Sequence, residues 1–251
     1  MTVAVALVDP PREGVVCSDI VEETPLSPAA GVALYEAMLA DFFATTAKTT
    51  ADVLVNYPAP EMLPGDDGDP AEEIRAVAER VLDEDDLEHV RFEVQVGSTP
   101  SARIGNALTH LLRDEEEQSA AFVDHRAPLL DRSVVDQAAI ALRRNDTVVG
   151  PATDGGLFLA GFTEPIDFAD VLPGSPLENV VSRATAEDHD VDFVRRREVV
   201  RTPRDLKTVV SLLRARRMAG RPMAAYTTAQ IEEIGLRVED GELVVSNGDD
   251  R

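Results

Sequence analysis

The segment Gly150-Pro-Ala-Thr-Asp-Gly-Gly156 sets one carboxylate among residues that leave the backbone exposed. Glycine adopts positive φ at no steric cost and lets a ligand approach the main chain. Asp154 could accept hydrogen bonds from a substrate hydroxyl or help to hold a metal ion, with Gly150, Pro151, Gly155 and Gly156 shaping the pocket wall. Asp-Gly-Gly is equally good turn chemistry on its own, so a plain strand-to-strand turn is the competing reading. His125 follows the apolar run Ala120–Val123 and could act as a general base. A loop histidine can also be merely solvated.

The remaining titratable residues form weaker patterns. His89, His110 and His189 lack metal-ligand spacing, and Cys17 has no second cysteine with which to form an intrachain disulfide. Ser98 and Thr99 precede a helix start, a place that can hold an anion but that capping alone explains. The acidic runs Asp83–Glu88 and Glu115–Glu117 lack the spacing and glycine of a calcium loop. Arg195–Arg197 reads as a strand-end face of salt bridges.

These residues must be positioned by alternating strands and helices. Strand-like runs occupy Val3–Val8, Asp52–Tyr57, Val90–Val96, Ala120–Val123, Thr147–Val149, Leu157–Phe162 and Asp190–Val194. Helices are expected from Ser27-Pro28 through Phe42, over Ala71–Leu82, from Thr99-Pro100 through Leu111, and over Ser133–Arg143, Pro176–Ala186 and Pro203–Met218. Strands separated by helices of 10–15 residues imply βαβ units and a mainly parallel sheet. After Gly220 the texture changes. Thr227 is expected to cap a short helix ending at Gly235, and Asp240-Gly241 marks a hairpin between Leu236–Val238 and Leu243–Val245. The expected division is a main domain over 1–219 and a helix-hairpin appendage with a frayed tail over 220–251.

Composition narrows the function. The 251 residues carry 24 basic and 47 acidic side chains, a formal net charge of −23, and a hydrophobic fraction of 44%. Such a chain repels phosphate backbones and anionic membranes, which disfavours nucleic acid and membrane surfaces as partners. Lys48 and Lys207 are the only lysines. Extreme acidity with so little lysine suits a halophilic, haloarchaeal-type protein, since a Debye length of roughly 3 Å in molar salt damps self-repulsion. A single cysteine and no apolar run near ~18 residues fit a cytoplasmic protein.

The turn sequence, followed by Leu157-Phe-Leu-Ala-Gly161, resembles a GT-A-like family of the nucleotide-diphosphosugar transferase superfamily. Its members are labelled glycosyltransferases or radical-SAM/selenodomain-associated transferases of type 1. All six specified positions of the motif Gly-Pro-Ala-x-Asp-Gly-Gly match. Softer likenesses lie at Pro25–Phe43, at Gly97, Arg103 and Ala107, at Pro128–Ala138 and at Thr202–Leu206, so the resemblance spans roughly residues 1–218. It implies a three-layer α/β/α GT-A-like fold, transfer of a sugar or nucleotidyl group from a nucleotide or nucleotide-sugar, and Mg²⁺ or Mn²⁺ if the site is intact.

Three positions depart from the family pattern. Where it carries a Lys-Thr-Arg-Leu element after the first strand, residues 9–23 hold Arg12 as the only base among five carboxylates. A gap-free alignment puts Arg126 on the metal-binding aspartate, leaving Asp124 as a substitute ligand only if the loop shifts. The second acidic site becomes Val199-Val200-Arg201-Thr202-Pro203. A guanidinium can fill a cation's place electrostatically. Two readings therefore stay open: a retired catalytic site, or an anion site in which Arg126 and Arg201 bind the ligand without metal; for a working transferase the residues would be Asp154, Gly155 and Gly156, with Asp124, His125 and Arg103 in support. A non-catalytic domain that binds a metabolite or a partner protein is the alternative to the transferase. Residues 220–246 could seal the domain or form a dimer patch.

Overall fold

The structure is a computed structural model that describes residues 2–65 and 68–246. Its strands are β1 (Thr2–Leu7), β2 (Asp52–Tyr57), β3 (Val90–Val94), β4 (Ser119–Val123), β5 (Thr147–Pro151), β6 (Leu157–Phe162), β7 (Val191–Phe193), β8 (Leu236–Glu239) and β9 (Glu242–Val245). Its helices are α1 (Ser18–Glu23), α2 (Pro28–Thr46), α3 (Pro70–Glu79), α4 (Glu84–Leu87), α5 (Pro100–Thr109), α6 (Arg132–Ala141), α7 (Pro176–Ala186), α8 (Pro203–Met218) and α9 (Ala225–Ile234).

The first seven strands form one sheet in the order β3-β2-β1-β4-β6-β5-β7. All neighbours run parallel except β6, which is antiparallel to both β4 and β5. The central strands are apolar on both faces because helices cover both, as expected of parallel sheets. Tyr35, Phe43, Ile74 and Val134 close one face, and Leu108, Leu111, Phe168 and Val180 close the other. The expected α/β/α layering with a mainly parallel sheet is thus the observed architecture. Most expected elements appear within a few residues of their sequence bounds. The acidic helix α1 was not legible, because its six residues lack apolar periodicity; only Ile20 is buried.

Helix α2 is apolar nearly all round because it is enclosed. Tyr35, Leu39 and Phe43 pack toward the sheet, while Leu34 and Met38 pack with Ile231, Leu236 and Leu213 from α9, β8 and α8. Residues 220–246 therefore lie against α2 and α8. The carboxylate of Asp41 on α2 accepts from the Tyr226 and Thr227 N–H groups at 3.1 and 2.8 Å. A side chain from another helix thus caps α9, in place of the local Thr227 cap expected from sequence. The expected frayed tail at 247–251 lies outside the described residues. No helix among them is long and apolar enough to cross a membrane.

Candidate functional site

The site forms at the carboxyl ends of β1 and β4, where parallel sheets place their ligands. β4 ends at Val123, and the Asp124 carboxylate turns back on its own loop, accepting from the Arg126 N–H at 3.0 Å. Arg126 then forks onto both oxygens of Asp124, Nε to Oδ1 at 3.0 Å and Nη2 to Oδ2 at 2.9 Å. Arg201 reaches the same Oδ2 from the segment before α8, Nη2 to Oδ2 at 2.8 Å, and donates to the Leu157 carbonyl at 2.7 Å. The Val200 N–H donates to the Arg126 carbonyl at 2.8 Å, which fixes the two loops side by side.

Arg201 is held from behind. Asp205 accepts from the N–H groups of Arg201 and Thr202 and from the Thr202 hydroxyl, forming a capping box for α8. Its other oxygen accepts from Thr153 Oγ1 at 2.9 Å, which ties the 150–156 turn to the same helix start. A methyl group at position 156 would lie 2.6 Å from Arg201 Nη1, so Gly156 leaves the space in which that guanidinium sits.

The electrostatics follow from exposure. Asp124 is 2% exposed, whereas the side chains of Arg126 and Arg201 are 38% and 34% exposed. Burial pushes the Asp124 carboxyl upward, but the two guanidiniums outweigh it and hold the group well below the usual carboxylate range. Two permanent positive charges share one negative charge, so the Asp124–Arg126–Arg201 group itself carries a net charge of about +1, with the Asp9 carboxyl also near Arg126.

The arginines line two cavities. On one side lies a chamber of about 340 Å³ whose wall includes Leu7, Ile104, Phe122, Leu157 and Leu172. On the other lies a smaller polar cavity of about 220 Å³ bordered by Asp9, Cys17, Asp19 and Tyr35. Tyr35 Oη accepts from the Asp9 N–H and donates to the Asp9 carbonyl, both at 3.0 Å, which pins the loop after β1 to α2. Burial pushes the Cys17 thiol up to about 11, so it is not a thiolate nucleophile at neutral pH.

A divalent cation does not fit this arrangement. Both Asp124 oxygens are already engaged by guanidiniums, and the described residues contain no group of three or more His, Cys, Asp or Glu side chains placed to hold a metal. A hard cation needs several anionic oxygens, and here it would face two like charges. The loop after β1 is no substitute for a phosphate cradle, because Arg12 is forked onto Glu73 of α3.

Several expected site residues sit elsewhere. His125 is 5% exposed and stacks edge-on against Tyr35 at 5.1 Å. Burial lowers it to about 4, so the imidazole is neutral near pH 7. Asp154 is exposed, lies in the left-handed region at φ 51°, and borders a separate surface cavity with Thr202, Lys207 and Glu242. It does not share the arginine cleft. Gly155, at φ 71°, completes that turn, while Gly150 packs under the Phe158 ring. Pro151 accepts from the Arg197 N–H at a bulge in β5. Arg103 donates to the Gly97 carbonyl at 3.1 Å and to buried Gln95 at 3.2 Å, bracing the turn into α5. Thr99 caps α5 through the Ala102 N–H. Sequence reasoning missed Tyr35, Asp205 and the chamber wall. Of these only the Thr202–Asp205 capping box carried a signal.

The fold has known counterparts. A candidate nucleotide-diphospho-sugar transferase from Desulfovibrio desulfuricans G20 superposes with a TM-score of 0.73 at 21% identity, over 92% of this chain and 94% of that one. The 4-diphosphocytidyl-2C-methyl-D-erythritol synthase from Anaerococcus prevotii DSM 20548 gives 0.51 at 13% identity, over 85% and 96%. At these identities the likeness shows the fold alone. No curated protein matches the chain. Residues 68–176, from just before α3 to the first residue of α7, match the family model described as "Uncharacterized protein conserved in bacteria (DUF2064)".

Proposed function

We propose that this chain binds an anionic, phosphorylated or carboxylated metabolite through Arg126 and Arg201, without a divalent cation. The observation that carries this reading is the shared grip of both guanidiniums on the buried Asp124, which orients them while leaving each about one-third exposed. In a metal-dependent transferase the cation neutralises a leaving diphosphate. Here a pair of planar, permanently charged forks supplies that neutralisation, and carboxylate or phosphate oxygens match their geometry. Transfer of a sugar or nucleotidyl group is the second reading, favoured by the fold shared with the Desulfovibrio protein. Asp124 is ion-paired by both arginines and is a weak base, while the Asp9 carboxyl, raised by burial, borders the polar cavity beside Arg126. Anion binding is the activity that the paired guanidiniums support directly.

Calorimetry with inorganic pyrophosphate and a panel of nucleoside diphosphates, in EDTA and again in Mn²⁺, tests the proposal. The expected result is metal-independent binding that is lost in Arg126→Gln and in Arg201→Gln. Binding that requires Mn²⁺ would favour the transferase.

A further inference from the structure

The chamber of about 340 Å³ beside the arginines has a wall that differs from a nucleotide or sugar pocket. Leu7, Ile104, Phe122, Leu157 and Leu172 contribute apolar surface, and the polar side chains on its border are Asp124, Arg126 and Arg201. Those three stand together at one end, engaged with one another. A nucleobase or a sugar ring here would find side-chain hydrogen-bond partners only at the Asp124–Arg126–Arg201 end, and polar groups buried against the apolar wall would each cost about a lost hydrogen bond. A hydrocarbon loses nothing on entering and gains from leaving water.

We infer that the preferred ligand is an amphiphilic anion, with one phosphate or carboxylate head on Arg126 and Arg201 and an uncharged hydrocarbon body in the apolar chamber. The inference rests on the anion-site reading above and adds the class of body attached to the head. Size agrees with it. At the ~30 Å³ share of a water-sized unit, the chamber holds roughly eleven heavy atoms, so a body of about eight to ten carbons fits. Charge agrees as well, because the head meets a net positive floor at one end and the wall beyond it supplies no further charge. The chamber lies between the first turns of α5 and α7, where Pro100 and Pro176 at the N1 positions also present ring carbons to it.

The test compares four small molecules by calorimetry on the full chain in EDTA: octyl phosphate, octanoate, octanol and ribose 5-phosphate. The expected result is that octyl phosphate binds at least tenfold more tightly than ribose 5-phosphate. Octanol is expected to show no measurable binding, and octanoate against octyl phosphate tells which head is preferred. Leu172→Trp, at a half-buried position, fills the chamber and is expected to cut octyl phosphate affinity at least tenfold while pyrophosphate binding stays unchanged. Circular dichroism melting confirms that the variant is folded. A second filling variant, Leu7→Phe, provides the same comparison at another wall position. Equal affinity for octyl and ribose phosphates, both lost in Arg126→Gln, would overturn the apolar chamber while leaving the anion site standing. Absence of binding by every anion would overturn both.

Discussion

Replacing Asp124 by Asn separates the two accounts of this site, because it removes one charge and keeps the shape. If Asp124 were a metal ligand, the change would abolish ligand binding. If it anchors two arginines, the change frees positive charge for the ligand. An anion on the outer face of Arg201 would sit about 6 Å from the carboxylate, given the 2.8 Å inner contact and an outer contact of ~2.8 Å. At that distance the repulsion removed is about 3 kcal/mol at an effective dielectric constant of 20 and about 0.7 kcal/mol in bulk water. The guanidiniums are one-third exposed, so a gain of about 1–2 kcal/mol is the working figure, or roughly five- to thirtyfold tighter pyrophosphate binding in EDTA. Stability moves the other way. Breaking a buried pair costs about 3–5 kcal/mol, and solvent access to the arginines reduces this to about 2–3 kcal/mol. For a chain of this size that corresponds to a melting temperature roughly 5–10 °C lower. The assay is calorimetry and thermal melting of the same preparation. Weaker pyrophosphate binding in a folded Asp124→Asn variant would refute the reasoning.

Four further expectations follow from particular contacts. Gly156→Ala pushes a methyl group against Arg201 Nη1, so pyrophosphate affinity should fall about tenfold with little change in melting temperature; unchanged affinity would show that Arg201 sits elsewhere. The unfolded chain takes up a proton on His125 near 6.5, which the native imidazole refuses until about 4, so stability should fall by about 3 kcal/mol as pH drops through that window. Urea midpoints should lose much of that slope in His125→Phe. Asp41→Ala removes the cap on α9 at a cost of about 1 kcal/mol, and hydrogen exchange should rise first in 225–234. Asp154→Asn should leave pyrophosphate affinity within twofold, since that side chain lies in an exposed turn outside the cleft.

The sheet and its helices were legible because apolar runs, Pro at N1 positions and polar caps all pointed the same way; Ser27-Pro28, Thr99-Pro100 and Thr202-Pro203 each begin a helix where sequence placed it. The antiparallel sense of β6 was not legible, because Leu157–Phe162 is apolar throughout and periodicity carries no direction. The prominence of Arg126 and Arg201 could be read from the positions they occupy. Their joint hold on Asp124 could not, because it joins residues 77 apart through a carboxylate that alternation alone would bury. Asp154 was singled out on turn chemistry and lies outside the arginine cleft. Asp-Gly-Gly signals a tight turn whether or not a ligand is near, and here the turn chemistry accounts for its left-handed backbone. Gly156 matters instead through the space it leaves for Arg201.

The claim that a guanidinium pair stands where a cation would otherwise be needed is tested most directly by electron paramagnetic resonance of Mn²⁺ titrated into the protein with and without pyrophosphate. The account predicts that the protein alone leaves the free-Mn²⁺ signal undiminished, and that Mn²⁺ lost in the presence of pyrophosphate matches the protein-free control. A protein-dependent loss of signal that disappears in Asp124→Asn would contradict it.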